Sequence, residues 1–591
     1  MRTRGGDIIV DYLVESGVPY AIGVCGHGNI QLMDALRLRS DRIKTMTTHH
    51  ESAAGFIADA YFRVSHQPLT TFSSTGPGSY NMPIALANAM GDGSAFLAIT
   101  GDVPNRQYDR GAFQETFWHQ GGDFTSVIRP YVKRVFQPQQ AAMLPSAIRQ
   151  AYTTMLKGRF GPVNLDVPFN LFIEDVHDEP QSPRAWQDGL DFRSGGNPAV
   201  LEHVLDLLSG AKRPLILAGN GVVLSKAEER LREFAKLLKI PVANTPLAKG
   251  VMDISDDLAA GEPGRLGVYS GNQACKACDV LLTLGCRFDD RVSSSWLNGY
   301  TFNIPPTRHI QVDIDPKELG RNYPIECGIM GDVHTVLGQL LDTFRARGRQ
   351  AQTDEQWRAE VVRWKRAWEP VYEDKLKSDA TPIRPERLIH DLREIFPEDG
   401  ILLSDVGSHH NWLVQLWNTS HARTFLHAWG FGAMGFGVCG VIGAKLAAPD
   451  RPCIAVVRDG GFMMHAHAVS TAVEYNTPVI WIIWNNKGYC SIRDMQLNYF
   501  QGHEIATSFI KEQTGELFTP DFAAIAESCG ARGLRVERPS EIKDALQKAL
   551  RAQEPYVVEV NMEREARFTT VGTWELPPFP HAEPTFHPTE G

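Results

Sequence analysis

Two polar side chains, Asp459 and Asn486, each follow an apolar run long enough to form a buried strand. The runs cover residues 453–457 and 478–484, with a Gly-rich turn and a helical segment between them. In a strand–helix–strand unit both strands end at the same edge of a parallel sheet, so the two side chains should converge. A carboxylate, an amide oxygen and a loop carbonyl such as that of Gly488 are hard oxygen ligands that Mg²⁺ accepts beside a phosphate. The spacing therefore predicts a magnesium site with the ligands Asp459, Asn486 and Gly488.

The same stretch resembles the thiamine-diphosphate-binding motif, in which an Asp-Gly pair is followed after 24 residues by Asn-Asn. Residues 459–460 form the pair here, and residues 485–486 follow at that spacing. The family usually has glycine where this chain has Arg458, and an arginine changes the charge beside the diphosphate. The alternative is an ordinary strand–helix–strand unit with a polar turn. The resemblance implies further cofactor contacts from Gly460, Gly461 and Tyr489.

Composition and charge restrict the class of protein. The 591 residues are too many for one core, so we expect three or four domains. A net charge of −10 argues against a general binder of nucleic acids or acidic membranes, and no apolar run reaches transmembrane length. Nine cysteines without a regular framework, and an N-terminus without an apolar signal core, favour a reducing cytoplasm.

Strands and helices alternate along most of the chain, which predicts an α/β protein with doubly wound parallel sheets. The first domain covers residues 1–180 and is followed by a polar, turn-rich linker. The second covers 195–350, and a charged helical stretch joins it to the third, at 380–565. Residues 566–591 are rich in proline and should form an irregular tail.

Six segments, in the expected order, resemble the acetolactate synthase-like thiamine-diphosphate enzymes. The resemblance covers essentially the whole chain and implies a pyrimidine-binding domain, a central domain and a diphosphate-binding domain. The family uses these segments around its cofactor and in its middle domain. They lie at residues 48–51, 76–81, 111–115, 284–292, 312–316 and 432–437.

Glu51 is the residue that the resemblance assigns to activation of the cofactor. A carboxyl group bound to N1′ of the pyrimidine favours the tautomer whose imine removes the C2 proton of the thiazolium. Met434 would separate the two rings and impose a bent shape on the cofactor. The alternatives are a glutamate at a helix N-terminus and a core methionine. Other cofactor contacts implied by the resemblance are Gly76, Asn81, Ser408, His409 and Gly432.

The resemblance also implies that the active site lies at a subunit interface. In the family, the activating glutamate comes from one subunit and the diphosphate motif from another. We therefore expect a homodimer or a homotetramer, in which each site needs two copies of the chain. An isolated subunit should be inactive.

Polar side chains of the first domain are expected to contact the substrate. Gln114 matches a family glutamine in the active-site loop. His27 and Asn29 belong to a Gly-His-Gly-Asn segment that resembles the thiamine enzymes which open cyclic 1,2-diketones by hydrolysis. A histidine can assist the attack of water on a carbonyl near neutral pH. The alternative is a turn histidine between two glycines.

The central domain resembles that of the FAD-binding synthases, most closely over residues 287–292. The Gly-Asn-Gly turn at 219–221 fits such a site, although a lone Gly-x-Gly is a weak signal. The alternative is a relic domain that only supports the dimer. The residues that would contact FAD are Gly219, Gly221, Arg287, Asp313 and Asp332.

Three reactions are compatible with these residues. The first is cleavage of a 2-oxo acid or 1,2-diketone next to its carbonyl, followed by carboligation or protonation. The second is hydrolytic cleavage of a 1,2-diketone, and the third is flavin-linked oxidation of a 2-oxo acid. A non-catalytic relative would be a different class of protein, and Glu51, Asp459 and Asn486 argue against it.

Overall fold

The computed structural model describes residues 3–115, 124–177, 182–187, 193–348 and 354–588. These residues form three α/β units, each built on a six-stranded parallel sheet. Helices cover the sheets on both faces, so the inner strands are buried along their length, while edge strands such as Lys44–Thr47 and Arg532–Val536 are partly exposed. The predicted fold class is confirmed.

The first unit has the strands β1 (Tyr20–Gly23), β2 (Lys44–Thr47), β3 (Thr70–Ser73), β4 (Leu97–Asp102), β5 (Val135–Phe136) and β6 (Val163–Pro168). They lie in the order β2-β1-β3-β4-β6-β5. Its helices are α1 (Gly5–Glu15), α2 (Ile30–Arg37), α3 (Glu51–Ser65), α4 (Pro77–Tyr80), α5 (Pro83–Asp92), α6 (Phe124–Ile128) and α7 (Leu144–Leu156), and α8 (Pro183–Gln187) follows.

The central unit has the strands β7 (Pro214–Ala218), β8 (Val242–Asn244), β9 (Ala259–Gly261), β10 (Val280–Leu284), β11 (Arg308–Asp313) and β12 (Cys327–Met330). They lie in the order β9-β8-β7-β10-β11-β12. Its helices are α9 (Pro198–Gly210), α10 (Asn220–Leu224), α11 (Glu228–Leu238), α12 (Tyr269–Ala277) and α13 (Val333–Ala346). Two connecting helices, α14 (Glu355–Trp368) and α15 (Glu373–Leu376), lead to the third unit.

The third unit has the strands β13 (Ile401–Ser404), β14 (Phe425–His427), β15 (Cys453–Arg458), β16 (Ile480–Asn485), β17 (Arg532–Val536) and β18 (Tyr556–Asn561). Their order is β14-β13-β15-β16-β18-β17. Its helices are α16 (Pro385–Ile395), α17 (His409–Leu416), α18 (Phe436–Ala447), α19 (Asp459–His465), α20 (Ala468–Glu474), α21 (Cys490–Tyr499), α22 (Phe522–Ser528) and α23 (Ile542–Ala552).

Helix α3 is the central contact between the first and third units. Its small residues let α18 approach closely, and α3 is buried along nearly its whole length. A Cβ atom on Gly443 would lie 2.0 Å from the Ile57 carbonyl oxygen, and one on Gly440 would lie 3.0 Å from Cβ of Ala60. The two helices therefore meet backbone to backbone, and one apolar core is shared by the first and third units.

The buried carboxylate of Asp92 lies where all three units meet. It accepts hydrogen bonds from the backbone N–H groups of Trp429 (3.0 Å) and Gly430 (2.7 Å) in the third unit. It also pairs with Arg63 of the first unit at 3.1 Å and with Arg287 of the central unit at 3.5 Å. Burial alone would raise the pKa of Asp92, but the two arginines and the backbone donors hold it below its usual range. One side chain thus joins the three units.

The C-terminal segment lies against the central unit in irregular conformation. The backbone N–H of Thr573 donates to Oγ of Ser294 at 3.1 Å, and the indole N–H of Trp574 donates to Asp290 at 2.6 Å. Among all the described residues, no helix is both long and apolar enough to cross a membrane.

Candidate active site

Asp459 and Asn486 are neighbours at the carboxyl edge of the third sheet. Strands β15 and β16 pair in parallel with Arg458 opposite Trp484, so both chains leave the sheet at the same level. Oδ2 of Asp459 accepts from the backbone N–H groups of Asn486 (3.2 Å) and Gly488 (3.1 Å). Oδ1 accepts from the N–H of Gly460 at 2.7 Å. The strand–helix–strand geometry thus brings these residues together, and burial raises the pKa of Asp459.

The guanidinium of Arg458 lies among the oxygens expected to bind Mg²⁺. It donates to Oδ1 of Asn486, to the carbonyl oxygen of Gly488 at 2.9 Å and to Oγ of Ser408. Two of the three predicted metal ligands are therefore hydrogen-bonded to a positive charge, and a second cation at the same oxygens would be repelled. With Arg458 in this position, the oxygens do not fit Mg²⁺.

Glu51 is a buried carboxylate at the first residue of α3. Its Oε2 accepts from the amide of Asn81 at 2.8 Å, and its Oε1 faces Gly78, where a Cβ atom would lie only 2.9 Å away. Gly76 has a φ of +59°, and a Cβ atom there would lie 2.7 Å from the carbonyl oxygen of Gln114. The glycine turn thus packs against the active-site loop on one side and against Glu51 on the other. Glu51, Gly76, Asn81 and Gln114 therefore form one group.

In the loop after β1, the His27 side chain is exposed and the Asn29 side chain is buried. The His27 ring is exposed, with its centroid 5.6 Å from that of Phe113 and 6.2 Å from that of Phe169. Asn29 is fully buried, accepts from the N–H of Gly26 at 2.9 Å and donates to the carbonyl of Val24 at 3.2 Å. The amide of Asn29 shapes the turn that presents His27, and the catalytic role of Asn29 stays a prediction.

Two acidic residues to which the sequence assigned no role hold the loops of the site. Glu115 accepts from the backbone N–H groups of Asp109, Gly111 (2.7 Å) and Ala112 (2.9 Å). Asp405 accepts from Gly435 at 2.9 Å and from Gly437, and burial raises its pKa to about 6. The signal for Asp405 was present in the sequence, since it follows a strand directly, as Asp459 does.

The segment with Gly432 and Met434 turns sharply before α18. Gly432 has a φ of +72° and Gly435 a φ of +97°, a region that favours glycine. A Cβ atom on Gly435 would also lie 2.3 Å from the His465 ring. Met434 is half-buried, two residues before α18 begins.

His409 lies inside the third unit rather than at the surface of the site. It is fully buried, and its Nε2 lies 3.1 Å from the carbonyl oxygen of Val456. Burial lowers the pKa of His409 to about 3, so the ring is neutral. His409 thus lies beneath the strand ends, and its contact with the cofactor stays a prediction.

A group of histidines connects the helices α3 and α19. Oγ of Ser52 lies 2.7 Å from Nδ1 of His50 and 3.1 Å from Nε2 of His465. The His50 and His467 rings stack with their centroids 5.9 Å apart. The residue after Glu51 is thereby tied to the helix that begins at Asp459.

We expect this protein to lose stability as the pH falls below about 6.5, because buried histidines must take up protons when it unfolds. Their folded pKa values are depressed by burial, so their contribution is complete above the unfolded pKa and is lost as the pH falls. Asp313, Asp405 and Asp494, with pKa values raised to about 6, act in the opposite direction but are fewer. The histidines are His66, His409 and His427 at about 3 and His309, His465 and His467 at about 4.

The measurement is the melting temperature between pH 8 and pH 4.5. The variant His427→Phe removes one such imidazole among aromatic neighbours, Phe425 and Trp429, and should make the decline shallower. A melting temperature that is constant from pH 8 to pH 5 would contradict this account.

Four of the five residues predicted to bind FAD line one cavity at the carboxyl edge of the central sheet, which is where nucleotides bind in such sheets. The cavity volume is about 90 Å³, below the about 300–1,000 Å³ typical of small-molecule sites. Arg287 is turned toward the first unit, where it donates to the carbonyl of Gly91. Gly219 lies behind the cavity, against Gly285. The four lining residues are Gly221, Arg287, Asp313 and Asp332.

Family models match the chain in three parts. The N-terminal TPP-binding domain of thiamine pyrophosphate enzymes matches residues 3–122, the central domain matches 201–340, and the C-terminal TPP-binding domain matches 405–560. The chain therefore belongs to the thiamine pyrophosphate (thiamine diphosphate) enzymes.

Within this family, the chain is similar over nearly its whole length to acetolactate synthase large subunits. A probable large subunit from Methanocaldococcus jannaschii is 33% identical over 565 residues, which are 94% of this chain and 91% of that protein. A probable large subunit from Methanococcus aeolicus is 32% identical, covering 96% and 93%. The large subunit from Haemophilus influenzae is 29% identical, covering 95% of each chain.

Proposed function

We propose that this protein is a thiamine-diphosphate-dependent carboligase that cleaves a 2-oxo acid and transfers the acyl group to a second carbonyl compound. The observation that carries the proposal is the buried Glu51 carboxylate with its Asn81 partner, in a chain that also has the diphosphate motif at Asp459 and Asn486. The similarity to acetolactate synthase large subunits favours carboligation over oxidation or hydrolysis.

Bound thiamine diphosphate supplies a nucleophilic carbon and an electron sink for breaking the bond next to the carbonyl. Glu51 holds and moves a proton at its Oε atoms, and Asn81 orients that carboxylate. Asp459 keeps the loop at 486–488 in place for the diphosphate. Gln114 and His27, both in the first unit, contact the substrate. Met434 would separate the two rings of the cofactor.

The proposed active unit is a homodimer or a larger homo-oligomer. Apolar side chains flank the glycine turn, the active-site loop, the Met434 segment and α19 on the outside of the single chain, and such surface is usually covered by a partner. A second copy of this chain is the proposed partner. The exposed side chains are Tyr80, Ile84, Phe113, Phe431, Met463 and Met464.

The function is tested by incubating the protein and thiamine diphosphate with pyruvate, other 2-oxo acids or cyclohexane-1,2-dione. We expect 2-hydroxy-3-oxo acids from the 2-oxo acids. His27→Ala should raise KM for the second carbonyl substrate about tenfold, the effect of one lost hydrogen bond. His203→Ala, an exposed histidine on α9, is the matched control. Ring-opened acid from the dione, with no product from any 2-oxo acid, would overturn the carboligase and favour the hydrolase.

A separate proposal assigns a flavin nucleotide to the central cavity. Its position at the strand ends supports this, and Arg159 and Arg287 offer positive charge for a diphosphate. Because the cavity is small, the side chain of Arg287 must move away from Asp92 before the ligand can enter. We expect the purified protein to release flavin on denaturation, and Arg287→Ala to release much less. Colourless protein that takes up no added FAD would contradict the proposal, and the central unit would then be purely structural.

A further inference from the structure

Arg458 ends β15 and lies where three strand-end loops meet. The side chain is buried, and its acceptors come from the turn after β13 and from the loop after β16. The turn is shaped to admit it. Gly407 has a φ of +150°, and a Cβ atom at that position would lie 2.6 Å from Cδ of Arg458. The arginine is therefore built into the site rather than lying over it.

The oxygens around this guanidinium are no longer arranged for a metal. Mg²⁺ needs near-octahedral coordination by oxygens at about 2.0–2.1 Å. Oδ1 of Asn486 and the carbonyl of Gly488 point at Arg458 instead. Both oxygens of Asp459 accept backbone N–H groups from its own loop and the neighbouring one. The donor set that would bind a cation is hydrogen-bonded within the protein.

A second guanidinium supports the same loop. Arg564 donates to the carbonyl oxygens of Asn486 at 3.2 Å and Lys487 at 2.9 Å, while its contacts with Glu504 and Glu565 are longer, 3.9 and 3.8 Å. Two arginines carry the same charge as one Mg²⁺. A guanidinium also has five N–H donors in a planar fork that matches phosphate oxygens, more than the three hydrogen bonds to Ser408, Asn486 and Gly488 use.

We propose that Arg458 takes the place of the divalent cation, so that this protein binds the diphosphate of its cofactor through a guanidinium and without Mg²⁺. The inference rests on the proposed thiamine-diphosphate function. It changes only how the diphosphate is held, and leaves Glu51 and the substrate side of the site as described.

The test is calorimetric titration of the metal-stripped protein with thiamine diphosphate, in EDTA and again with excess Mg²⁺. We expect the wild-type Kd to differ by less than about threefold between the two conditions. Arg458→Gly restores the small residue usual in the family and clears the oxygens. In EDTA, the Kd of this variant for thiamine diphosphate should be at least about 30-fold higher than that of the wild type, because a phosphate partner is lost. Excess Mg²⁺ should restore its binding.

Two further variants keep the test independent of folding defects. Arg458→Met fills a similar volume without charge and should bind weakly in EDTA. Arg451→Gly, which removes an arginine at the opposite end of β15 that donates to the carbonyl of Asp399, should bind like the wild type. Circular dichroism confirms that each variant is folded.

The outcomes separate the two proposals. Wild-type protein that binds thiamine diphosphate only with Mg²⁺ would overturn the role of Arg458 and leave the proposed function intact. Wild-type protein that binds it in neither condition would overturn both. The comparison of EDTA with Mg²⁺ needs only the wild-type protein, so it decides the inference even if every Arg458 variant fails to fold.

Discussion

Glu51→Gln is expected to lower kcat by about 10²–10⁴-fold, the usual contribution of a positioned proton-transfer group. Glutamine keeps the size of the side chain and can still contact Asn81, but it cannot hold and release a proton at the Oε position. Binding of thiamine diphosphate, measured by calorimetry, should change little, because the diphosphate is held in the third unit. The matched control is Glu15→Gln, at an exposed glutamate on α1, which should keep full activity.

A mixing experiment adds information on the subunit arrangement. Glu51→Gln and Asp459→Ala subunits, each inactive alone, should regain activity when they are unfolded and refolded together. One of the two sites in such a mixed dimer would have both wild-type residues if each site uses two subunits. Full activity of Glu51→Gln alone would show that Glu51 does not activate the cofactor.

Asp92→Ala is expected to destabilise the protein by about 3–5 kcal/mol, the typical effect of breaking a buried ion pair. The change leaves Arg63 and Arg287 without a shared partner, and it removes the acceptor of two backbone N–H groups in the third unit. Calorimetric unfolding should show a lower transition temperature and separate transitions for units that otherwise unfold together.

The control for Asp92 is Asp342→Ala. Asp342 is 84% exposed and lies 4.0 Å from Arg345, so its removal should change stability by less than about 0.5 kcal/mol. Asp92→Asn keeps the shape of the side chain but not its charge. Its transition temperature should lie between those of Asp92→Ala and Asp342→Ala. Equal transition temperatures for Asp92→Ala and Asp342→Ala would mean that the buried carboxylate does not join the units.

The sequence was sufficient for the fold and for the convergence of Asp459 with Asn486. Buried parallel strands are continuous apolar runs, and the edge at which they end follows from the handedness of strand–helix–strand units. The grouping of Glu51 with Asn81 followed from the family resemblance. The assignment of roles to these residues remains a prediction until variants are measured.

The directions in which these side chains point could not be predicted from the sequence. The position of the Arg458 guanidinium depends on the backbone at Gly407 and on Ser408, which lie about 50 residues earlier in the chain. The inward turn of Asn29 depends on two backbone groups of its own loop. Asp92 gave no periodic or motif signal, because its partners come from three separate units.

The backbone contact between α3 and α18 has a consequence for how new activities can arise in this protein. At Gly443 no atom can be added, because a Cβ there would meet the carbonyl oxygen of Ile57. The beginnings of the two helices, at Glu51 and after Gly435, are therefore set relative to one another. The ring of His27, in the loop after β1, is exposed and contacts the rings of Phe113 and Phe169. Laboratory selection for a new substrate should collect its mutations in such loops and leave the helix pair unaltered.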